Sequence, residues 1–600
     1  MFTRICVLRV ILACLCLETA CSTLRKEEGI FDSSKFARQT AVPYFTSSPY
    51  ERWPGTAYPD NPTGYFLDRE SAIKLVAVGN CEAAIPVLER LVKQYQDDSE
   101  LWVDLGLCQS ALDQNVAAIE SLRNAIELGS TIFNGRFEAM PTEIMVRIGW
   151  LYAKTGDTEQ ALTWIKRALT ARNANRPSLA NQPEAALMKG NRDFAELAGL
   201  QPDQTLSRDE KWRYDITFLA DQVAMLHFDP DQHTPAQVLE HALQDLYDSV
   251  PNLSDEEIVI RIQRFMGMLG AGHDVLFAGS PRYGAAKTFA FRLYLFTDGL
   301  YVIEADDKSL VGARIEAFVS TPADIALQKI GQVLPRDNNQ TARWNGPFVL
   351  TFPVMLQAMN IIKDAKEATL TITDRNGKRR IIKPELSAPR PNTPALVAPP
   401  AVAAPLYLSR MNETYWTKTL PEIDSIYVQV NGMNNSQEGE SFTEFCKRLM
   451  DQISTTQVDN MILDLRHNIG GNSYLADQLL KVLVYFDMKP EEGDIYVLIG
   501  RNTYSSAQMF ITRLESLSDA IFVGEPSGSR PNFIGRVGQF VLPYSGLMGF
   551  LSSELSQESL AEDHRIWIAP DMPVALSSTE FFTGQDPALD AIRKLIVTRQ

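Results

Sequence analysis

The last two hundred residues alternate between short apolar runs and longer amphipathic ones, and that alternation limits the fold more than any other feature. "SIYVQV", "NMILDLR", "DIYVLIG" and "AIFVGE" have the length and content of buried strands. "FTEFCKRLMDQI", "YLADQLLKVLVYF" and "SAQMFITRLESL" between them have helical spacing. Strands separated by helices return to one sheet through crossovers, so the order predicts an α/β domain over residues 406–600.

Upstream the period changes. Residues 205–290 open with three helical stretches, "RDEKWRYDITFLADQVAML", "AQVLEHALQDLYDSV" and "SDEEIVIRIQRFMGML". Residues 291–386 alternate like half-buried β-structure, with a hairpin turn at Asn376–Gly377. The Pro/Ala-rich 387–405 is expected to be a linker. Residues 64–200 contain a repeat: Ala84, Ala118 and Ala161 hold equivalent places in "NCEAAIPVLERL", "QNVAAIESLRNA" and "DTEQALTWIKRA". The first two copies are thirty-four residues apart, and Gly106 and Gly149 precede the later ones. These positions resemble tetratricopeptide repeats, in which small residues let paired helices approach closely. The resemblance implies a protein-binding surface, with a structural spacer as the alternative. The whole is a multidomain α plus α/β chain.

A net charge of −17 without any basic run argues against nucleic acid as a partner. The N-terminus differs from the rest. Arg4 and Arg9 precede an apolar run that ends in small residues, the pattern of an export signal over residues 1–22. Cys21 follows "LETA" and is a candidate for lipidation and a membrane tether, although Glu18 stands where such signals carry an aliphatic residue. Simple cleavage and a short transmembrane anchor are the alternatives. Export places the protein in a periplasm or cell envelope. Residues 23–63, rich in Pro, Gly, Ser and Tyr, are expected to be a tether. Four of the seven cysteines lie in the leader. Cys81, Cys108 and Cys446 are odd in number and far apart, so buried separate thiols are expected, with neither a disulfide framework nor a zinc site.

Two segments carry chemistry. Ser505 and Ser506 lie between "DIYVLIG" and a helix, where a serine is either an N-cap or an exposed nucleophile. In "NMILDLRHNIGGNS" the strand ends at a glycine pair, Gly470 and Gly471. Glycines there bring backbone N–H groups close to a ligand, and one of them with the Ser506 N–H would form an oxyanion hole. A tight turn with Asp464 and Arg466 in structural ion pairs accounts for the same residues.

The order "DLRHNIGG", "RNTYSSAQMF", "AIFVGEPSGSRP", "WIAPDMPV" resembles the serine peptidase family of tail-specific, C-terminal processing and tricorn proteases. That family also contains the retinoid-binding protein of the photoreceptor matrix. The likeness spans about residues 205–600. It implies a crotonase-like catalytic domain, a PDZ-like module over 291–386 with "DGLYV" as its carboxylate-binding turn, and peptide or protein substrates. It also implies Ser505 as nucleophile and no metal or organic cofactor. The processing branch takes its base from a lysine where this chain has Arg530, and a guanidinium does not accept a proton. The tricorn branch uses a histidine from "GDGHT", which falls on His273 in "GAGHDVLF". His467 and His564 are the other candidates. His227, His233 and His241 are expected on helix surfaces. Gly272 replaces the serine that steadies the ring in that branch, which leaves Glu562, Asp563 or Asp274 to orient it. A peptide-binding scaffold without activity, and a carrier of hydrophobic ligands, are the alternatives that the family allows.

Overall fold

The computed structural model describes residues 30–36, 58–128, 141–170, 179, 182–198, 205–277, 287–391, 395–399, 402–437, 439–456, 458–488 and 493–599. The expected leader and Cys21 lie outside them, as does much of the 23–63 segment. No helix among the described residues is long and apolar enough to cross a membrane.

The sheet of the C-terminal domain has six strands, in the order Tyr415–Leu420, Ser425–Val430, Asn460–Asp464, Ile495–Ile499, Ile521–Gly524 and Met572–Pro573. The first pair is antiparallel and the rest are parallel. Every residue of Ser425–Val430, Asn460–Asp464 and Ile495–Ile499 is buried, as expected for strands covered on both faces. On one face Leu463 and Val497 meet Phe445, Leu479 and Phe510 of the crossover helices. On the other, Tyr427, Ile462 and Tyr496 meet Leu589 and Ile592 of the last helix, Pro587–Arg599.

The α-helices Arg208–Leu226, Ala236–Ser249 and Asp255–Leu269 share a core with a long hairpin, Asn532–Val541 and Met548–Gln557, that the sequence did not announce. Val275–Leu276, just after His273, pairs with that hairpin, which fixes the histidine beside it. Part of the expected tether belongs to the same core. Phe31 and Phe36 are buried there, and the Ser33 N–H donates to Glu240. Two aromatics five residues apart outweigh the polar composition around them.

Residues 287–391 form an antiparallel sheet, Phe291–Phe296, Gly299–Ala305, Arg314–Phe318, Leu370–Thr373 and Arg379–Ile382, with α-helices inserted between Phe318 and Leu370. The expected turn is a wider loop: Asp374 pairs with Lys378 and its carboxylate accepts the Asn376 and Lys378 N–H groups. The "DGLYV" turn is not an open carboxylate site. Asp298 accepts from the Ser578 N–H and hydroxyl, which closes the turn against the C-terminal domain. The expected linker is packed as well: Leu386–Ser387 pairs with Thr288–Phe289, and Leu396 is buried with Tyr294 and Tyr407.

In the repeats Ala84, Ala118 and Ala161 are fully buried. A β-carbon at Gly106 would lie 2.6 Å from Leu122 Cγ, and one at Gly149 would lie 2.8 Å from Ile165 Cγ1, so both glycines permit helix contact. The expectation of separate thiols fails. Cys81 and Cys108 form a disulfide with their Cα atoms 5.0 Å apart. Cys81 opens the helix Cys81–Gln94, and Cys108 lies near the end of its antiparallel neighbour Ser99–Ala111, so the hairpin joins positions that look remote in sequence. Cys446 is a buried free thiol.

Candidate active site

Ser505 follows the strand Ile495–Ile499 and opens the helix Ser506–Leu517. Its φ of 54° and ψ of −123° place a non-glycine residue in a sparsely populated region, and its side chain makes no cap to the helix. The conformation costs on the order of 1–3 kcal/mol and is retained because the surroundings fix it. Thr503 Oγ1 donates to the Leu465 carbonyl, the Tyr504 N–H to the Asn468 carbonyl, and the Gly528 N–H to the Thr503 carbonyl. The strained turn is therefore tied on both sides.

The glycine loop faces it. Gly470 (φ 105°) and Gly471 (φ 137°) both adopt conformations that favour glycine. The Gly470 N–H donates to Asn468 Oδ1 at 2.9 Å. The Met433 N–H donates to the Gly470 carbonyl and the Asn472 N–H to the Met433 carbonyl. That pattern leaves the Gly471 N–H without an acceptor among the described residues, and the Ser506 N–H at the helix start is in the same state. Below the loop Arg466 bridges Asp464 and Asp586 and lies over the Tyr407 ring. The ion pairs expected of Asp464 and Arg466 are present and hold the loop, and the Gly471 N–H stays free beside them.

His273 Nε2 lies 3.1 Å from Ser505 Oγ. Its ring is stacked between Tyr504 and Phe533, with centroids 4.7 and 5.7 Å away. Burial lowers its pKa below the ordinary imidazole value, opposed by Asp337 and Asp274. A neutral imidazole in this position accepts a proton at neutral pH.

The other sequence candidates are elsewhere. His467 stacks on Tyr407, its Nε2 is buried without a hydrogen bond, and burial drives its pKa down to about 4. His564 is exposed. His227, expected on a surface, is buried and bonded to Asp274 at 3.0 Å. Asp274 is thereby committed to His227 and to the Ser552 N–H, not to His273. Asp563 pairs with Arg565, and Glu562 is exposed. None of the three acids touches His273. Its Nδ1 instead meets the Tyr504 hydroxyl at 3.0 Å. Tyr504 was legible as the residue before the serines, but no local pattern pointed to this contact. Arg530 donates from Nε to the Asp337 carbonyl.

An open cleft of about 930 Å³ runs to the glycine loop, lined by Asn431, Asn434, Asn435, His467 and Gly470. Among the described residues no cluster of His, Cys, Asp and Glu has the makings of a metal site.

Residues 424–574 match the family model of peptidase family S41. This stretch is similar to an S41 peptidase domain. The family is one of serine proteases, and the matched span contains Ser505, Gly470 and Gly471, whereas His273 lies upstream of it. Residues 142–175 match a tetratricopeptide repeat. No curated protein matches the sequence. Among solved structures, mature CPAF complexed with lactacystin is similar at 14% identity and a TM-score of 0.48, over 65% of this chain and 99% of that one. The photosystem II D1 C-terminal processing protease is similar at 10% identity and 0.32, over 64% and 99%. The tricorn protease is similar at 12% identity and 0.33, over 66% and 37%.

Proposed function

We propose that this S41 domain is an active, exported serine endopeptidase that works through Ser505 and His273, in the manner of the tricorn branch and not of a Ser–Lys dyad. The observation that carries the reading is the 3.1 Å approach of His273 Nε2 to the hydroxyl of a strained, uncapping serine. His273 takes the Ser505 proton as Oγ attacks the scissile carbonyl. The developing oxyanion receives the Ser506 and Gly471 N–H groups, since the Gly470 N–H is already used by Asn468. The imidazolium then gives its proton to the leaving amine, and a water activated by the same ring releases the acyl group.

The open cleft suits an extended polypeptide. The 287–391 sheet is the PDZ-like element in this reading, and the sheet around Ser425–Val430 is the crotonase-like core. The repeats offer a surface for a protein partner or substrate. Export is supported by the leader pattern and by the Cys81–Cys108 disulfide, because such bonds persist in oxidising compartments. Lipidation of Cys21 would tether the enzyme to a membrane in a periplasm or cell envelope.

The test is labelling by a serine-directed fluorophosphonate together with turnover of a peptide panel. Wild type should label and cleave, and Ser505→Ala should do neither. A folded wild type that does neither returns the protein to the scaffold reading.

A further inference from the structure

The base of a Ser–His pair receives its proton at Nε2, so its other proton stays on Nδ1 and needs an acceptor. At His273 that place is occupied by the Tyr504 hydroxyl, 3.0 Å away. In the working tautomer Tyr504 accepts from Nδ1–H, and its own O–H must point to a further acceptor.

One carboxylate is near, although no hydrogen bond joins it to the Tyr504 hydroxyl. Asp337 is 5% exposed, its Oδ1 accepts the Gly272 N–H at 2.7 Å, and its Oδ2 is buried without a hydrogen bond, with the equally unbonded Ser529 hydroxyl as its other neighbour. A β-carbon on Gly272 would lie 2.3 Å from the Tyr504 oxygen and 2.9 Å from Asp337 Oδ1. The hydroxyl and the carboxylate therefore converge on the space that a side chain at 272 would fill. Asp337 reaches this point from the 287–391 module, whose docking is fixed by Asn338 to the Ser527 and Ile566 carbonyls and by Thr341 to the Gly528 carbonyl.

We propose that Tyr504 and Asp337 together stand in for the acid of a Ser–His–acid triad, Tyr504 accepting from His273 Nδ1–H and turning its own proton toward the Asp337 carboxylate. The proposal rests on the serine-peptidase reading above. No proton leaves Nδ1. The single proton transferred goes from Ser505 Oγ to His273 Nε2, and the Asp337 charge favours the imidazolium that results. Both are positioning residues, since neither touches the scissile bond. The other charged or titratable groups near His273 and Asp337 are Asp274, already paired with His227, His233, which shares a cavity with Asp337, and Arg530, whose charge opposes that of Asp337. Burial holds the Tyr504 pKa far above the ordinary phenol value, so its oxygen keeps its proton over the working range.

The test uses the full chain and follows the rate of fluorophosphonate labelling of Ser505 against pH, which needs no known substrate. Tyr504→Phe and Asp337→Asn should each slow labelling by roughly a hundredfold, the low end of what general-base catalysis contributes. Each should also move the acid limb to lower pH, because the imidazolium loses support. Asn keeps an oxygen for the Gly272 N–H, so its fold should survive. The double variant should be no slower than the slower single one. A wild-type rate and limb in either folded variant overturns the relay while the Ser505–His273 reading stands on Ser505→Ala. Faster labelling by Tyr504→Phe also overturns it, since the hydroxyl would then be a donor holding the unproductive tautomer. Loss of labelling without a shifted limb marks a merely structural role and overturns it too. A wild type that neither labels nor cleaves overturns both readings.

Discussion

Gly470 lies so close to Ser505 that a β-carbon at 470 would sit 2.7 Å from the serine β-carbon and 2.9 Å from the Ser506 nitrogen. The loop that carries the free Gly471 N–H is thus set by direct contact with the Ser505 turn. Gly470→Ala should abolish labelling of Ser505 and lower stability by about 1–3 kcal/mol, since φ is also 105° there. Denaturant unfolding and labelling of the same preparation check both parts. Full labelling by Gly470→Ala would mean that the contact is slack.

Ser505→Ala should leave stability nearly unchanged, within about 0.5 kcal/mol, because the hydroxyl caps nothing. Ser505→Gly should stabilise by about 1 kcal/mol, as glycine adopts φ 54° without strain. Both should be inactive. Equilibrium urea unfolding measures the difference, and a Gly variant less stable than the Ala variant would remove strain from the account.

The catalytic sheet was legible because its strands are short apolar runs with helices of clear period between them. Ser505, Gly470 and His273 were legible because each stands in a local pattern of small residues. What the sequence hid depends on contacts between distant segments. Tyr504 and Asp337 meet only because the 287–391 module docks by Asn338 and Thr341. Asp274 looked available to His273 as its neighbour, yet successive residues point apart, and it serves His227 instead. Cys81 and Cys108 looked unpaired because their spacing matches no motif; only antiparallel helix packing joins them.

The pH dependence has a definite sign. Burial lowers the His273 pKa, so the base stays neutral, and labelling should persist, below the ordinary imidazole value of about 6.5. Stability follows linkage. Between the lowered folded pKa and about 6.5 the unfolded chain binds more protons, so stability falls as pH drops through that window. Asp337 acts oppositely: burial raises its pKa, so its contribution is lost as pH rises from about 3.9 through the folded value. The His273→Ala variant should lack the first slope. A rate of labelling that declines already above pH 6.5 would contradict the burial argument.

The Cys81–Cys108 bond closes a loop with a sequence separation of 27. Constraint of the unfolded chain by such a loop contributes about 3 kcal/mol. It joins the first helix pair to the second, where Ala84, Leu88 and Leu105 form a small core that Cys108 completes. The catalytic sheet and its His273–Ser505 pair share no core residue with that cluster. Reduction, or Cys108→Ser, should therefore loosen the repeats and leave the peptidase end intact. Limited proteolysis should cut between residues 62 and 127 in the reduced protein and not in the oxidised one. Fluorophosphonate labelling of Ser505 should be unchanged between the two. If labelling falls in step with the cuts, the repeats stabilise the site, and the expectation that they form a separable unit is wrong.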